Sequence, residues 1–172
     1  LGRVADTFTT DSVSAVFGSY NNLPEDRGFF SQYKNLFHHW VHQSGSTAAS
    51  TFWSGFGAIR KTVFDDAGGF PESYHKPSIE DVALGYRLKR KGINIELMKD
   101  LQVTHLKRWT FTSLVTTDIM NRAIPWTRLA WTEGLPRDLN FRHSDRLSGV
   151  LACLLPLSLC LVPLWPMAFF LP

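Results

Sequence analysis

Cysteine is scarce in this chain of 172 residues: there are two, Cys153 and Cys160, and both lie inside one apolar run. That excludes a disulfide framework and any paired-cysteine zinc spacing. No Asn-x-Ser/Thr sequon occurs, which fits a chain that faces the cytosol. A large charge of either sign is also missing. The formal net charge is +3, too small to draw nucleic acid by bulk electrostatics, so nucleic acid is not an expected partner. No internal repeat and no low-complexity tract is visible. The most telling absence is local: Leu147 to Pro172 is 26 residues without one charged side chain.

A bilayer-crossing helix needs about 20 apolar residues, and this run is longer. It lies far from the N-terminus, so it is not a signal peptide. Prolines at 156, 163, 166 and 172 complicate one straight helix. The run is therefore either a span over 147–162 that breaks at Pro163, or a kinked or hairpin element embedded in the membrane. A buried core hairpin of a soluble protein is the plainer alternative. Arg137, Arg142, His143 and Arg146 precede the run, and basic flanks favour the cytoplasmic side. Residues 1–146 are thus expected to face the cytosol, at the plasma membrane or an equivalent one. The expected division is a folded part over 1–133, a basic juxtamembrane linker over 134–146 and a transmembrane segment over 147–172. With no initiator methionine and an apolar end, both ends are expected to be cuts in a longer protein.

Periodicity divides the folded part. Val13 to Phe17 is β-prone and stops at Gly18. Phe29 to Gln43 carries apolar or aromatic residues at 29, 30, 33, 36, 37, 40 and 41, the spacing of one helical face. Thr51 to Arg60 reads as a buried strand loosened by Gly55 and Gly57. Lys61 to Ala67 reads as a short helix that Gly68-Gly69 ends. Ile79 to Lys91 reads as a helix with acids first and bases last, which suits its dipole. Two further strand-like runs cover 93–97 and 101–106. Thr110 to Trp131 reads as a helix broken at Pro125, with Trp126 and Trp131 placed for a membrane surface or for a core. Strands alternating with helices imply an α/β layer fold.

The densest chemistry is at Glu80-Asp81. Unpaired N–H groups and the dipole stabilise carboxylates at a helix start. Such a pair either caps the helix or is held there for proton transfer or for gripping a hydroxyl. Gly55 and Gly57 either admit a ligand close to the backbone or relieve crowding in a strand. Arg60 fits a phosphate partner or a strand end. Lys107 and Arg108 fit either a diphosphate or a solvated basic turn. His38 and His42 stand four apart on a helix, but His39 occupies the place of the Glu in a zinc-protease motif and no third ligand is evident. They fit a polar face near a substrate cleft or interface better than a metal site.

In order and spacing, Gly57-Ala58-Ile59-Arg60, Phe64, Gly68-Gly69-Phe70, the run from Ile79 to Leu88 and then Gly92 resemble the second half of a family 2 glycosyltransferase. Val103 to Trp109, Arg122 to Trp126 and the apolar C-terminal run extend the likeness, which covers roughly residues 13–146. The resemblance implies a GT-A fold, a Rossmann-like nucleotide-sugar domain, of which this chain holds the acceptor-side half. It implies that Asp81 is the base for an inverting transfer from a nucleotide-diphosphate sugar to a lipid-linked or polysaccharide acceptor, with Glu80 gripping the acceptor or holding Asp81. It further implies that the Gly55–Gly57 strand lies under the donor sugar, and that His105 helps ligate a Mg²⁺ or Mn²⁺ ion beside the diphosphate. Arg122 and Trp126 match the Gln-x-x-Arg-Trp element of processive members only imperfectly. Asp118 stands at the glutamine position, and the Arg–Trp spacing is too long, so processive synthesis is not expected. The Asp-x-Asp metal motif and the donor-binding half are expected upstream, since Asp6 and Asp11 lack the spacing, and this stretch alone is expected to be inactive. Two other classes compete: a catalytically inactive, membrane-tethered binding module, and a regulatory domain of a polytopic membrane protein.

Overall fold

The computed structural model describes residues 2–9, 12–134, 147–152, 154, 155 and 158. They fall into two compact units, Leu1–Leu139 and Asn140–Pro172. The first unit is a mixed α/β fold. Its elements run α1 (Gly2–Thr7), β1 (Ala15–Tyr20), α2 (Phe29–Ser44), β2 (Ala48–Ala49), a 3₁₀ turn (Ser54–Phe56), β3 (Gly57–Ile59), α3 (Lys61–Asp66), α4 (Glu80–Arg90), β4 (Ile95–Val103), α5 (Phe111–Thr116), a π-helical segment (Thr117–Ala123) and α6 (Ile124–Glu133).

The sheet has the order β2-β4-β1-β3. The central pair β1/β4 is parallel, Ala15 opposite Ile95 and Tyr20 opposite Val103, with a register shift between Phe17 and Ser19. The short edges β2 and β3 are antiparallel to their neighbours. Residues 15–19 of β1 are all buried, as expected of a strand covered on both faces. Phe17 and Leu97 of that pair meet Leu84 and Leu88 of α4, Val41 of α2, and Phe52 in the core. Gly85 lets α4 approach this closely: a Cβ there would lie 2.4–2.7 Å from the backbone of Thr51 and Phe52.

Several expectations are corrected. Thr51 to Arg60 is not one buried strand but an irregular stretch, a 3₁₀ turn and a three-residue edge strand. The aromatic rings of Phe52 and Trp53 fold back against the backbone at Gly57 and Gly55, filling the space a Cβ would take there. The runs 93–97 and 101–106 are one strand, because the bulge opposite Phe17–Ser19 lets β4 continue through Asp100. β1 likewise passes through Gly18 to Tyr20. The break in 110–131 is the π segment at 117–123, and Pro125 falls in the first turn of α6 directly after it. By contrast α3 ends on Gly68 and Gly69, both at positive φ (77° and 61°), as the sequence implies.

The predicted linker, apart from Gly134, and most of the predicted span over 147–172 lie outside the described residues. Among the described residues no helix is long and apolar enough to cross a membrane.

Candidate active site

Tyr20 and Val103 end the two parallel strands side by side. In sheets of this kind ligands bind beyond the carboxyl ends of the parallel strands. The segment leaving β4 stays close to the one leaving β1: Asn21 N–H donates to Val103 O (3.0 Å) and Glu25 N–H to His105 O (3.4 Å). Just beyond lies a cleft of about 390 Å³, lined by Lys76, Ser78, Glu80, Lys107, Asn121 and Arg122, with Pro77 and Thr117. Three elements make it: the loop into α4, the segment after β4, and the π segment. Ser78 joins two of them, its Oγ donating to Asn121 O at 2.5 Å. Insertion of a π turn widens a helix and is frequent at functional sites.

The acid pair splits its duties. Glu80 lines the cleft, and its Oε2 accepts the Ser78 N–H at 2.8 Å. Asp81 is half-buried and is not among the lining residues. Its Oδ2 accepts both the N–H and the Oγ–H of Ser54, each at 3.1 Å, and its Oδ1 accepts the Val82 N–H at 2.8 Å. A carboxylate offers about four acceptor positions, so one remains on Oδ1. Burial pushes the Asp81 carboxyl up from 3.8, against the lowering effect of those three bonds, and Glu80 pushes it further. Only the Val82 bond is a local helix-start contact. The Ser54 bonds tie α4 to the 3₁₀ turn.

The cationic side is equally organised. Arg122 Nη1 lies 3.1 Å from His38 Nε2 and 3.8 Å from Asp118 Oδ1. Both oxygens of Asp118 take the Nζ of Lys34 at 2.6 Å, and the Lys34 side chain is only 6% exposed. Lys107 Nζ sits 3.8 Å above the Trp109 ring. Trp109 is itself fixed by α2, with its N–H on Ser31 Oγ (2.7 Å) and its Nε1–H on Asn35 Oδ1 (3.2 Å).

Between acids and bases lies a ring cluster centred on Tyr20. Trp53 and His105 pack on it at 4.4 and 4.5 Å, His38 at 5.9 Å and His42 at 6.2 Å, the last stacked. Burial raises the Tyr20 phenol to about 12, with Arg122 opposing and Asp81 assisting. It therefore keeps its proton. Burial holds His42 down to about 4 and His38 well below 6.5, so both are neutral at pH 7. Nothing in the sequence marks Tyr20, Lys34 or Ser54 as members of this site. Only the i, i+4 histidines and the odd aspartate at the glutamine position pointed toward it.

The other candidates separate from the cleft. Gly55 and Gly57 face this chain's own aromatics: a Cβ would meet the Trp53 indole at 2.6 Å and the Phe52 ring at 2.5 Å respectively. Arg60 braces the N-terminal segment through Val13 O (3.0 Å) and Phe8 O (2.9 Å). Arg108 lies 3.7 Å from Asp26. Trp126 donates to Tyr86 Oη at 3.2 Å, clamping α6 to α4. His105 Nδ1 accepts the Lys107 N–H at 3.0 Å. In the neutral ring that leaves the proton on Nε2, the reverse of what ligation through Nε2 requires. Among the described residues no cluster of three or more His, Cys, Asp or Glu side chains could hold a metal.

Comparisons of the chain with protein-family models, with curated proteins and with solved structures find no match.

Proposed function

We propose that residues 1–134 are the acceptor-side part of a membrane-attached, cytosol-facing inverting glycosyltransferase. The observation that carries the reading is the cleft beyond the ends of two parallel strands, where the Glu80 carboxylate faces Lys107 and Arg122, with Asp81 directly behind Glu80 at the start of α4. Transfer from a nucleotide-diphosphate sugar needs both carboxylate and cation. The hydroxyl oxygen of a lipid-linked or polysaccharide acceptor attacks the anomeric carbon. Its proton passes to Asp81, and the bond from that carbon to the diphosphate oxygen breaks, with the electron pair leaving on the diphosphate. The raised proton affinity of Asp81 suits a base working near neutral pH, and its one open position on Oδ1 suits a hydroxyl donor. Glu80 grips the acceptor. Lys107 and Arg122 stabilise the charge that grows on the leaving group. Tyr20, always protonated, can donate to a sugar or phosphate oxygen. A divalent ion enters the proposal only as a ligand of the donor, through an Asp-x-Asp motif upstream, and no step here depends on it.

The Ser54 bonds of Asp81 favour a second reading, an inactive binding module in which Asp81 simply anchors the 3₁₀ turn. The two separate in one assay. Protein extended upstream to include the donor half, in its native membrane, is offered a panel of nucleotide-diphosphate sugars, and the product's anomeric configuration is read by NMR. Transfer with inversion is expected. Transfer with retention, or ligand binding without transfer of any sugar, overturns the proposal.

A further inference from the structure

Helix α2 is built inside out. Its buried side chains are mostly polar: Ser31, Lys34, Asn35 and His42, with Val41. They are turned inward for good reason, since Ser31 and Asn35 hold Trp109 and Lys34 holds Asp118. The opposite stripe is Phe29, Tyr33, Leu36, Phe37 and Trp40, spaced three or four apart and between 38% and 75% exposed. Tyr33 and Phe37 stack at 6.4 Å, and Trp40 follows at 6.1 Å. Phe30 extends the surface to Phe111, 61% exposed, at 5.6 Å. A helix that meets water on one side and a core on the other carries its apolar stripe inward. Here the stripe faces out, as one contiguous apolar patch of the kind that marks an interaction surface.

We propose that this face of α2 rests in the headgroup layer of a bilayer containing anionic lipid. Three observations select that occupant. The stripe is made of Phe, Tyr and Trp, the side chains that settle at the membrane–water boundary. The 16 residues of α2 include no Asp or Glu, and at its N-terminal border the exposed Arg27 complements anionic headgroups, while Arg108 there lies 3.7 Å from Asp26. Finally, the same chain contains the uncharged 26-residue run. The inference rests on the membrane-attached part of the proposal above and not on its sugar chemistry. Lys34 on the inner face of α2 holds Asp118, which in turn lies 3.8 Å from Arg122 of the cleft, so the proposal sets the cleft one helix away from the lipid surface and favours a lipid-borne acceptor.

The test uses the full chain with Cys153→Ser and Cys160→Ser, carrying Phe37→Cys, Trp40→Cys or, as reference, the exposed Glu72→Cys. Each variant is labelled with the fluorophore NBD and reconstituted at one protein per vesicle of phosphatidylcholine and phosphatidylglycerol. Lipids bearing a spin label near the headgroup should quench the probe at positions 37 and 40 at least several-fold more than at 72, and less in vesicles of phosphatidylcholine alone. Circular dichroism checks that each variant is folded, and positions 37 and 40 stand in for each other if one is not. Equal quenching at all three positions, no quenching at 37 and 40, or shielding that appears only at high protein density (a second copy) overturns the inference. The quenching is read whether or not sugar is transferred, so its failure is distinguishable from failure of the catalytic proposal, which is tested on protein extended upstream to include the donor half.

Discussion

Asp81 is held in a way that costs the fold stability and gains it a proton acceptor. Burial raises its folded pKa above the unfolded value of 3.8. Its contribution to stability is therefore fully present below pH 3.8 and is lost as pH rises through the folded pKa. Asp81→Asn removes that ionisation, so its unfolding free energy in urea, relative to wild type, should rise with pH from about 4 upward. A constant difference from pH 4 to 8 would show that the carboxylate is not desolvated. His42 works in the opposite direction. Its folded pKa of about 4 lies below 6.5, so the fold is stabilised above pH 6.5 and loses that stability as pH falls toward 4, on the order of 3 kcal/mol in all. His42→Phe should flatten that acid limb of a stability–pH curve. Asp118 belongs to a third kind, a partner of a nearly buried cation. Asp118→Ala leaves Lys34 unpaired and should cost about 3 kcal/mol, whereas Lys34→Met with Asp118→Leu should recover most of it. Additive losses in the double variant, measured by denaturant melts, would contradict the ion-pair account.

The elements differ in how far they can be read from sequence. Helices α2, α3 and α4 follow from their own residues: periodic apolar side chains, acids at the start of α4, and glycines at positive φ after α3. What local pattern does not carry is orientation and long-range pairing. The stripe on α2 has helical spacing whichever way it faces, and only the partners of Lys34, Asn35 and His38 turn it outward. β4 reads as two strands because the bulge against β1 is set by the partner strand. The stretch around Gly55 and Gly57 reads as a strand because its residues are apolar, yet their role is to fold Phe52 and Trp53 back over the backbone. The acid pair and the cations of the cleft were legible as residue types. The ring cluster on Tyr20 was not, since its members lie up to 85 positions apart in the chain (Tyr20 to His105). The close approach of α4 to Thr51 gives a direct check. Gly85→Ala puts a Cβ within 2.7 Å of backbone, which the neighbours cannot yield by rotating a side chain. A loss of about 3 kcal/mol in thermal or urea unfolding is expected, and a neutral substitution would mean that α4 sits farther out.

At the scale of the whole unit, the sheet sets the position and the helices set the chemistry. The parallel pair β1/β4 brings Tyr20 and the segment around His105 to one end, α4 delivers its acids there, and the π segment closes the cleft with Arg122 and Asn121. The face of α2 that supports this cleft is polar, through Ser31, Lys34 and Asn35, and its aromatic face is exposed, the face we propose for lipid. The central claim is that Asp81 takes the acceptor's proton. It is tested most directly by single-turnover sugar transfer with Asp81→Asn in protein extended upstream to include the proposed donor half, alongside equilibrium binding of the nucleotide sugar. The account predicts transfer reduced at least about 100-fold with donor binding unchanged; turnover at the wild-type rate would contradict it.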